Sequence, residues 1–256
     1  MKSISRSFAA ACAVILTLAA APSSNADELS SSQRSEVERI VREYLIAHPE
    51  VLQEAMNELD KRQTAVQAEK HKAAIKEYSD ALFSSPRQVV LGNPNGNVTF
   101  VEFFDYNCGY CKRAMVDMME LMKHDPKLKV VLKEFPVLGP ASVEVARVAV
   151  AVRMQDKTGK KYLDFHQKLL SGRGQVDKAR AIAAAKEAGL DVARIEKDLG
   201  SDEVRLTLEE SLKLAEKLGL NGTPSYVIGP HVVVGAVGLD QLKEKVNSAR
   251  CGKATC

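Results

Sequence analysis

The chain has 256 residues, of which 36 are Lys or Arg and 33 are Asp or Glu, and its formal net charge is +3. This near-balance gives no electrostatic basis for binding nucleic acid or an anionic membrane surface, so we expect no nucleic-acid partner. The length is sufficient for one large domain or for a domain with an appendage. We expect no cofactor.

The first 26 residues have the pattern of a secretory signal peptide. Lys2 and Arg6 precede the uncharged apolar run 8–21, and small residues follow up to Ala26. The run is shorter than the roughly 20 residues that a membrane-spanning helix needs. We therefore predict export, with cleavage after Ala26 and loss of Cys12 together with the leader.

Four cysteines remain in the mature chain: Cys108, Cys111, Cys251 and Cys256. An even number of cysteines in an exported protein fits an oxidising compartment. Four are too few to staple a fold of this length, so the fold has to rest on a hydrophobic core.

Two amphipathic helices are predicted over residues 35–60, with an interruption at Pro49 and a capping box formed by Ser35 and Glu38. Two short helices cannot bury their apolar stripes on each other alone. They need either the main domain or copies of themselves from other chains. The stripe residues are Val37, Ile40, Val41, Tyr44, Leu45, Val51, Leu52, Ala55, Met56 and Leu59.

Residues 60–80 are dense in mixed charge and poor in apolar side chains. This composition predicts a solvated helix that acts as a stalk or linker. The alternative is an ordinary surface helix of the main domain.

From Gln88 onward the pattern changes to strands. Short apolar segments at 89–91, 98–104 and 128–135 predict strands, and a helix is predicted from the cysteines to about Lys123. Strand, helix and strand in one short stretch imply a parallel crossover.

The next region, from Ala141 to about Leu218, is helical in pattern. Strand patterns return at 225–228 and 231–234 and predict an antiparallel hairpin. A final helix is predicted from about Leu239. Breaks in the helical region are expected at Thr158-Gly159, 171–174, Gly189 and Gly200.

The spacing Cys108-Gly109-Tyr110-Cys111 can indicate zinc, a structural disulfide or a redox centre. Structural zinc needs four ligands, and Cys251 and Cys256 are separated by four residues rather than two. The five histidines share no ligand spacing, so we predict no metal site. They are His48, His71, His124, His166 and His231.

The position of the pair favours redox chemistry over a purely structural bridge. Cys108 directly follows a predicted buried strand and opens a helix, whose free backbone N–H groups and macrodipole stabilise an anion. We expect Cys108 to be a thiolate nucleophile with a lowered pKa, and Cys111, one turn into the helix, to be the shielded resolving thiol.

These features resemble the DsbA family of bacterial periplasmic thiol:disulfide oxidoreductases. The segment VEFFDYNCGYCK is similar to the active-site strand and helix of that family, and VREYLIAHPEVLQEAMNELDKRQ resembles the extra N-terminal helices of its ScsC (suppressor of copper sensitivity C) subgroup. The resemblance implies an α/β thioredoxin fold in residues 81–256, with an inserted helical domain at about 140–218. The signal peptide at 1–26 and a helical oligomerisation segment and linker at 27–80 would precede this domain.

The resemblance also implies roles for individual residues. Gly109 and Tyr110 would tune the thiolate, and Thr223-Pro224 matches the cis-proline loop, whose backbone would pair with the client. Glu102 aligns with a buried acid that has a raised pKa and relays a proton to or from Cys111. The alternative for Glu102 is that it points to solvent from an alternating strand.

Three other features carry further expectations. Lys112 and Arg113 add positive potential near the thiolate, although most exposed basic residues only solvate a helix. Cys251 and Cys256 are expected to bridge each other as a structural disulfide without a catalytic role, or else to remain free. A methionine stripe is expected to pack in the core, the alternative being a soft surface for clients or Cu(I). The stripe is Met115, Met118, Met119 and Met122.

Thr before the cis-proline resembles isomerases more than DsbA itself, and the N-terminal helices are suited to self-association. We therefore expect a periplasmic disulfide isomerase or reductase that acts on unfolded or misoxidised clients. It would form a homo-oligomer, with a trimer favoured, in which residues 27–60 make the contacts between chains. A membrane thiol–disulfide electron donor would reduce its cysteine pair again. The subgroup name implies a link to copper stress. The alternatives are a DsbA-type oxidase and a non-enzymatic Cu(I)-binding protein.

Overall fold

The computed structural model describes residues 29–256, and the predicted signal peptide with Cys12 lies outside the described residues. The chain divides into two units, with the boundary between Leu59 and Asp60. Among residues 29–256, none of the helices combines the length and the apolar character needed to cross a bilayer.

The first helix, α1 (Ser31–Ala47), begins earlier than predicted. The Ser30 side chain accepts a hydrogen bond from the Gln33 N–H, and the Gln33 side chain accepts one from the Ser30 N–H. The predicted capping box at Ser35 and Glu38 is therefore wrong, because Ser35 lies inside the helix. The apolar stripe starts only at Val37, so its periodicity could not locate the preceding turns.

The second helix, α2 (Glu50–Glu77), starts directly after Pro49, which confirms the predicted break. The apolar side chains of α1 and of the first part of α2 are about half exposed in the single chain, and α1 has no buried residue. The most exposed members of the stripe are Val37, Ile40, Val41, Tyr44, Leu52, Met56 and Leu59.

The charged segment is exposed over residues 61–70, as predicted for a solvated helix, but its C-terminal part is partly buried. Ile75 is buried in a core cluster that includes Leu82 of the short helix α3 (Ser79–Phe83) and Leu214. A solvated stalk over the whole of 60–80 is therefore wrong. The last turns of α2 pack on the domain because Ile75 brings apolar surface to it.

Five strands form one sheet in the order β1-β3-β2-β4-β5. The central strands β2 and β3 are parallel, which confirms the predicted crossover, and every other pairing is antiparallel. The bounds are β1 (Val89–Gly92), β2 (Val98–Phe104), β3 (Leu128–Glu134), β4 (Ser225–Ile228) and β5 (His231–Val234).

The remaining helices confirm the predicted helical region between β3 and β4 and its four breaks. Alternating positions of β2 face opposite sides of the sheet, so Phe100 and Phe104 belong to one core cluster and Val101 and Phe103 to the other. The helices are α4 (Gly109–His124), α5 (Pro140–Gln155), α6 (Lys160–Ser171), α7 (Lys178–Glu187), α8 (Val192–Asp198), α9 (Asp202–Lys217) and α10 (Leu239–Cys251).

Candidate active site

The dithiol lies where the buried central strand β2 gives way to α4. Cys108 is the N-cap residue of α4, and its side chain makes no capping hydrogen bond to the helix. Cys108 is 6% exposed and Cys111 is fully buried, and both are free thiols. The nucleophile expected from the sequence therefore occupies the end of a helix where backbone N–H groups point outward.

The surroundings of Cys108 lower its thiol pKa from 9.0 to about 5. The largest cause is a hydrogen bond from the Cys111 thiol, followed by the Thr223 side chain and the backbone N–H groups of Cys111 and Tyr110, while burial opposes them. The direction agrees with the sequence argument. The neighbouring thiol nevertheless contributes more than the helix terminus on which that argument relied.

The Cys111 thiol has the opposite tendency. Its pKa is raised by the hydrogen bond that it gives to Cys108, by its own burial and by the negative charge of Glu102. One sulfur is therefore ionised at neutral pH while the other keeps its proton. The two thiols of one short motif are chemically unlike because one lies at the helix end and the other beneath it.

Glu102 is 3% exposed on β2, so its side chain does not reach solvent. Burial raises its pKa from 4.5 to about 8, and the charges of Asp117 and Cys108 add to the effect. Its Oε2 atom has no hydrogen-bond partner among the described residues. A carboxyl group in this environment can hold or release a proton near neutral pH.

The loop before β4 lies against the nucleophile. The peptide bond Thr223-Pro224 is cis, and the carbonyl oxygen of Thr223 lies 3.1 Å from Cys108 Sγ. In the thiol form Cys108 donates to this carbonyl, and in the thiolate form the sulfur accepts from the Thr223 side chain. Strand β4 pairs directly with β2, which is how residues 115 positions apart meet.

The residues between and after the cysteines are at the surface or engaged elsewhere. Tyr110 is 61% exposed, and a Cβ on Gly109 would meet nothing within 4 Å. Lys112 donates to the Gly172 carbonyl at 2.6 Å, and the Arg113 guanidinium lies 5.4 Å from the centre of the Tyr110 ring. Neither cation is among the causes that lower the Cys108 pKa, so their expected electrostatic role has no support here.

Sequence reasoning missed the three residues before the nucleophile. Asp105 is 2% exposed and accepts four hydrogen bonds, and Tyr106 and Asn107 each bond to the helical insertion. The available signal was an acidic residue directly after a buried strand and next to the cysteine motif. Three of its four partners lie 32 to 37 residues away, so no local pattern indicates them.

A chain of buried polar groups extends from Tyr106 into the insertion. The Tyr106 hydroxyl lies 3.2 Å from the Tyr162 hydroxyl and 3.2 Å from His166 Nδ1, and Tyr162 donates to Glu134 Oε1 at 2.7 Å. Burial raises the pKa of Glu134 and lowers that of His166 to about 3. Neutral His166 donating from Nδ1 gives both hydroxyls one donor and one acceptor, so the chain is satisfied.

The methionine stripe lines the face of α4 that packs on the sheet. Met115 and Met118 are buried in the core cluster that contains Phe100 and Phe104, and Met119 and Met122 pack against it. This confirms core packing as the main role of the stripe. Cys251 and Cys256 form a disulfide at the end of α10.

No group of three or more His, Cys, Asp or Glu side chains among residues 29–256 is arranged to hold a metal ion. The fold and the site together define a thioredoxin-fold protein with a pair of unequal free thiols at the start of a helix.

Two family models match the chain. The DSBA-like thioredoxin domain matches residues 99–247, and the Copper resistance protein ScsC N-terminal domain matches residues 33–65. The chain belongs to the DsbA-like thioredoxin family of thiol–disulfide oxidoreductases, and its N-terminal helices are of the ScsC type.

Solved structures agree with both matches. A thioredoxin-like oxidoreductase from Silicibacter pomeroyi is 43% identical, covering 67% of this chain and 96% of that one with a TM-score of 0.63. The protein α-DsbA2 from Wolbachia pipientis is 32% identical, covering 72% and 97%, with a TM-score of 0.66. Proteus mirabilis ScsC in a transitional conformation is 29% identical, covering 88% and 100%, with a TM-score of 0.64.

Curated relatives include Na⁺/H⁺ antiporters of the NhaA type, such as that of Salinispora arenicola, which is 25% identical over 168 residues. The chain spans only 25% of that relative's length. It spans 76% of the "Probable disulfide bond formation protein D" of Bacillus cereus, at 26% identity.

Proposed function

We propose that this protein is a periplasmic disulfide isomerase or reductase that acts on unfolded or misoxidised client proteins through Cys108 and Cys111. The observation that carries the proposal is the unequal pair of thiols, one with a pKa of about 5 and the other protonated beside it. Only the thiolate form of a cysteine attacks a disulfide, and Cys108 is in that form at neutral pH.

The chemistry proceeds by two exchanges of sulfur. The Cys108 thiolate attacks one sulfur of a client disulfide, which forms a mixed disulfide and releases the second client sulfur as a thiolate. In isomerisation, the released client thiolate attacks another disulfide of the client and so rearranges its pairing. A client thiolate then attacks the mixed disulfide, which forms a new client disulfide and releases the Cys108 thiolate. In reduction, the ionised form of Glu102, which is the minority at neutral pH because its pKa is about 8, takes the proton of Cys111. The Cys111 sulfur then attacks Cys108, the client sulfur leaves as a thiolate, and the Cys108–Cys111 disulfide forms.

The reductase cycle consumes two electrons, so a thiol–disulfide donor must reduce the Cys108–Cys111 pair again. We propose a membrane protein as this donor and the periplasm as the compartment, in line with the signal-peptide pattern of residues 1–26. A Salmonella enterica protein described as periplasmic and thioredoxin-like, 29% identical over 67% of this chain, is consistent with this location.

The exposed apolar stripe of the N-terminal helices supports self-association, which would favour the isomerase direction. The stripe on α1 and on the start of α2 leaves Val41 50% and Met56 59% exposed in the single chain. Copies of residues 27–60, three being favoured, would bury these side chains and place several dithiol sites around one client. A linker-deletion variant of Proteus mirabilis ScsC and two conformations of that protein, transitional and compact, have been solved. The proposed link to copper tolerance comes from the name of the subgroup alone.

A second candidate, a DsbA-type oxidase, is favoured by one observation. Strong stabilisation of the Cys108 thiolate stabilises the reduced pair, and this makes the disulfide form a better oxidant. The redox state of the pair in cells separates the two. Trapping by thiol alkylation should find it mostly reduced, and a mostly oxidised pair would indicate the oxidase.

The activity itself is tested with scrambled ribonuclease. We expect reactivation by the wild-type protein and none by Cys108→Ala. Equal results from both proteins, together with stoichiometric Cu(I) binding, would favour the non-enzymatic copper-binding alternative.

Light scattering tests the oligomer. Ile40→Lys places a charge on the exposed stripe and should reduce the mass to that of one chain, whereas Glu38→Lys on the same helix should not. A single-chain mass for the wild-type protein would remove the main reason to prefer isomerase. A truncation should end at Leu59, because removal through residue 80 would take Ile75 out of the core.

A further inference from the structure

The carboxylate of Asp105 is held at four points by groups on three segments of the chain. Its Oδ1 atom accepts from the Asn107 N–H at 2.8 Å and from the Ser142 hydroxyl at 2.7 Å. Its Oδ2 atom accepts from the N–H groups of Val137 and Leu138 at 2.9 and 3.0 Å. A carboxylate offers about four acceptor sites, so this side chain is fully used and has little freedom to move.

The backbone of the same residue touches both cysteines. The Asp105 carbonyl oxygen accepts from the Cys108 N–H at 3.0 Å. The Asp105 backbone N–H donates toward the sulfur of Cys111. The position of this one peptide segment therefore sets where both sulfurs lie.

We propose that Asp105 is the positioning residue of the dithiol centre, because its carboxylate locks the backbone that holds Cys108 at the start of α4 and an amide against Cys111. Asp105 acts through this backbone and does not touch the client. The inference rests on the proposed function, since it concerns the same two sulfurs.

Asn107 strengthens the same connection from the other side of the loop. Its Oδ1 atom accepts from the Val176 N–H at 2.7 Å, and its Nδ2 atom donates to the Val176 carbonyl at 3.0 Å and to Ser142 Oγ at 3.1 Å. Ser142 lies on α5, and Val176 lies between α6 and α7. The helical insertion thus forms hydrogen bonds with both residues that flank Tyr106, and the loop cannot shift without breaking these bonds.

Positioning and simple charge repulsion make opposite predictions for Asp105→Asn. The amide keeps the size of the side chain but replaces one acceptor oxygen by a donor, so two of the four bonds are lost. If the residue positions the loop, the N–H groups at the start of α4 fit the thiolate less well and the Cys108 pKa rises. If its negative charge is what matters, removal of that charge lowers the Cys108 pKa.

The test is the ultraviolet absorbance of the thiolate in the full-length reduced protein, titrated against pH. Loss of about one good hydrogen bond to the thiolate should raise the Cys108 pKa by about 1 unit in Asp105→Asn. Alkylation at pH 5, the pKa of the wild-type thiol, should then be about five-fold slower. An unchanged or lowered pKa in a folded Asp105→Asn variant would overturn the proposal.

Two further variants make the result specific. Asp156 likewise accepts from two backbone N–H groups and one hydroxyl, and Asp156→Asn should leave the Cys108 pKa unchanged. An equal rise in both variants would mean loosened folding in general and would also overturn the proposal. If Asp105→Asn does not fold, Ser142→Ala, which removes one donor, should raise the pKa in the same direction by a smaller amount, and no rise would overturn it.

These readouts separate the inference from the proposed function. A raised Cys108 pKa in Asp105→Asn supports the positioning role even if the wild-type protein fails to reactivate scrambled ribonuclease. Activity of the wild-type protein together with an unshifted pKa in the variant supports the function and overturns the positioning role.

Discussion

Glu102 on β2 and Tyr226 on β4 are register partners, and the Glu102 Oε2 atom and the Tyr226 hydroxyl are both buried without a hydrogen-bond partner in residues 29–256. A buried carboxyl that lacks a donor is more stable protonated, which agrees with its pKa of about 8. The charge of Glu102 also helps to raise the pKa of Cys111. This coupling suits a group that, in its ionised form, takes the proton of Cys111, the proposed resolving thiol.

Glu102→Gln should become progressively more stable than the reduced wild-type protein as pH rises. The pKa of Glu102 is raised from 4.5 to about 8, so the folded state binds the proton more tightly than the unfolded state does. Folding stability is therefore lost as pH rises from 4.5 to 8, and Gln removes this loss. We expect the variant to gain on the order of 4 kcal/mol relative to wild type across that window, measured by urea unfolding.

The matched control for that measurement is Glu120→Gln on α4, a partly exposed glutamate in ion pairs with Lys123 and His124. Its difference from wild type should stay nearly constant over the same window. A pH dependence for Glu102→Gln that runs parallel to wild type would contradict the raised pKa.

Cys108 should stabilise the reduced protein increasingly with rising pH. Its folded pKa lies near 5 and its ordinary value is 9.0, so its contribution is complete above pH 9 and is lost as pH falls to 5. Between these limits the free energy of unfolding of the reduced wild-type protein should rise relative to Cys108→Ala by up to about 5 kcal/mol. Urea unfolding under reducing conditions measures the difference, and a flat profile would mean that the thiol ionises as it does in free cysteine.

Thr223→Val should raise the Cys108 pKa. The Thr223 side chain is a hydrogen-bond donor to the thiolate, and Val has nearly the same shape without the hydroxyl. Loss of one bond to a charged group predicts a rise of about 1 unit, read from thiolate absorbance. Thr223→Ser keeps the hydroxyl and should restore the wild-type value, and an equal shift in both variants would show that shape rather than the hydroxyl is responsible.

Met118→Ala should destabilise the fold without an effect on the thiols. Met118 is fully buried in the core cluster that contains Phe100 and Phe104, whereas Val116 on the same helix is 55% exposed. The cavity left by Met118→Ala should cost about 2–5 kcal/mol in the free energy of unfolding, and Val116→Ala should change it by less than about 0.5 kcal/mol. Equal stabilities would argue that the stripe is a binding surface rather than core.

Local pattern was sufficient for the strands and for the place of the dithiol. The predicted strand at 98–104 has the observed bounds of β2, and the hairpin at 225–228 and 231–234 has those of β4 and β5. These segments are short apolar runs bounded by turn residues, so their sequence carries the signal. The helical region between β3 and β4 was equally clear because glycine-containing breaks separate its apolar repeats.

Where local pattern failed, distant packing decided the outcome. Lys133 is a charged residue within the predicted strand 128–135, yet it is 1% exposed. It donates to the Ala81 carbonyl at 2.7 Å and to Glu210 at 3.1 Å. Ile75 is an isolated apolar residue in a charged run, and only the tertiary contact with Leu82 and Leu214 gives it a core role. No periodicity distinguishes these residues from their solvated neighbours.

The sequence by itself indicated the kind of chemistry, because the strand before Cys108 and the helix that it opens can both be recognised from local pattern. It also indicated the inserted helices and the family resemblance. Only the tertiary structure decided which groups tune the two sulfurs. Sheet pairing and helix packing bring together the Thr223 side chain, the Glu102 carboxyl and the hydrogen bonds between the insertion and Asp105, although these residues are far apart in the chain. Thiol ionisation depends on groups within a few ångströms in space, whatever their distance in sequence.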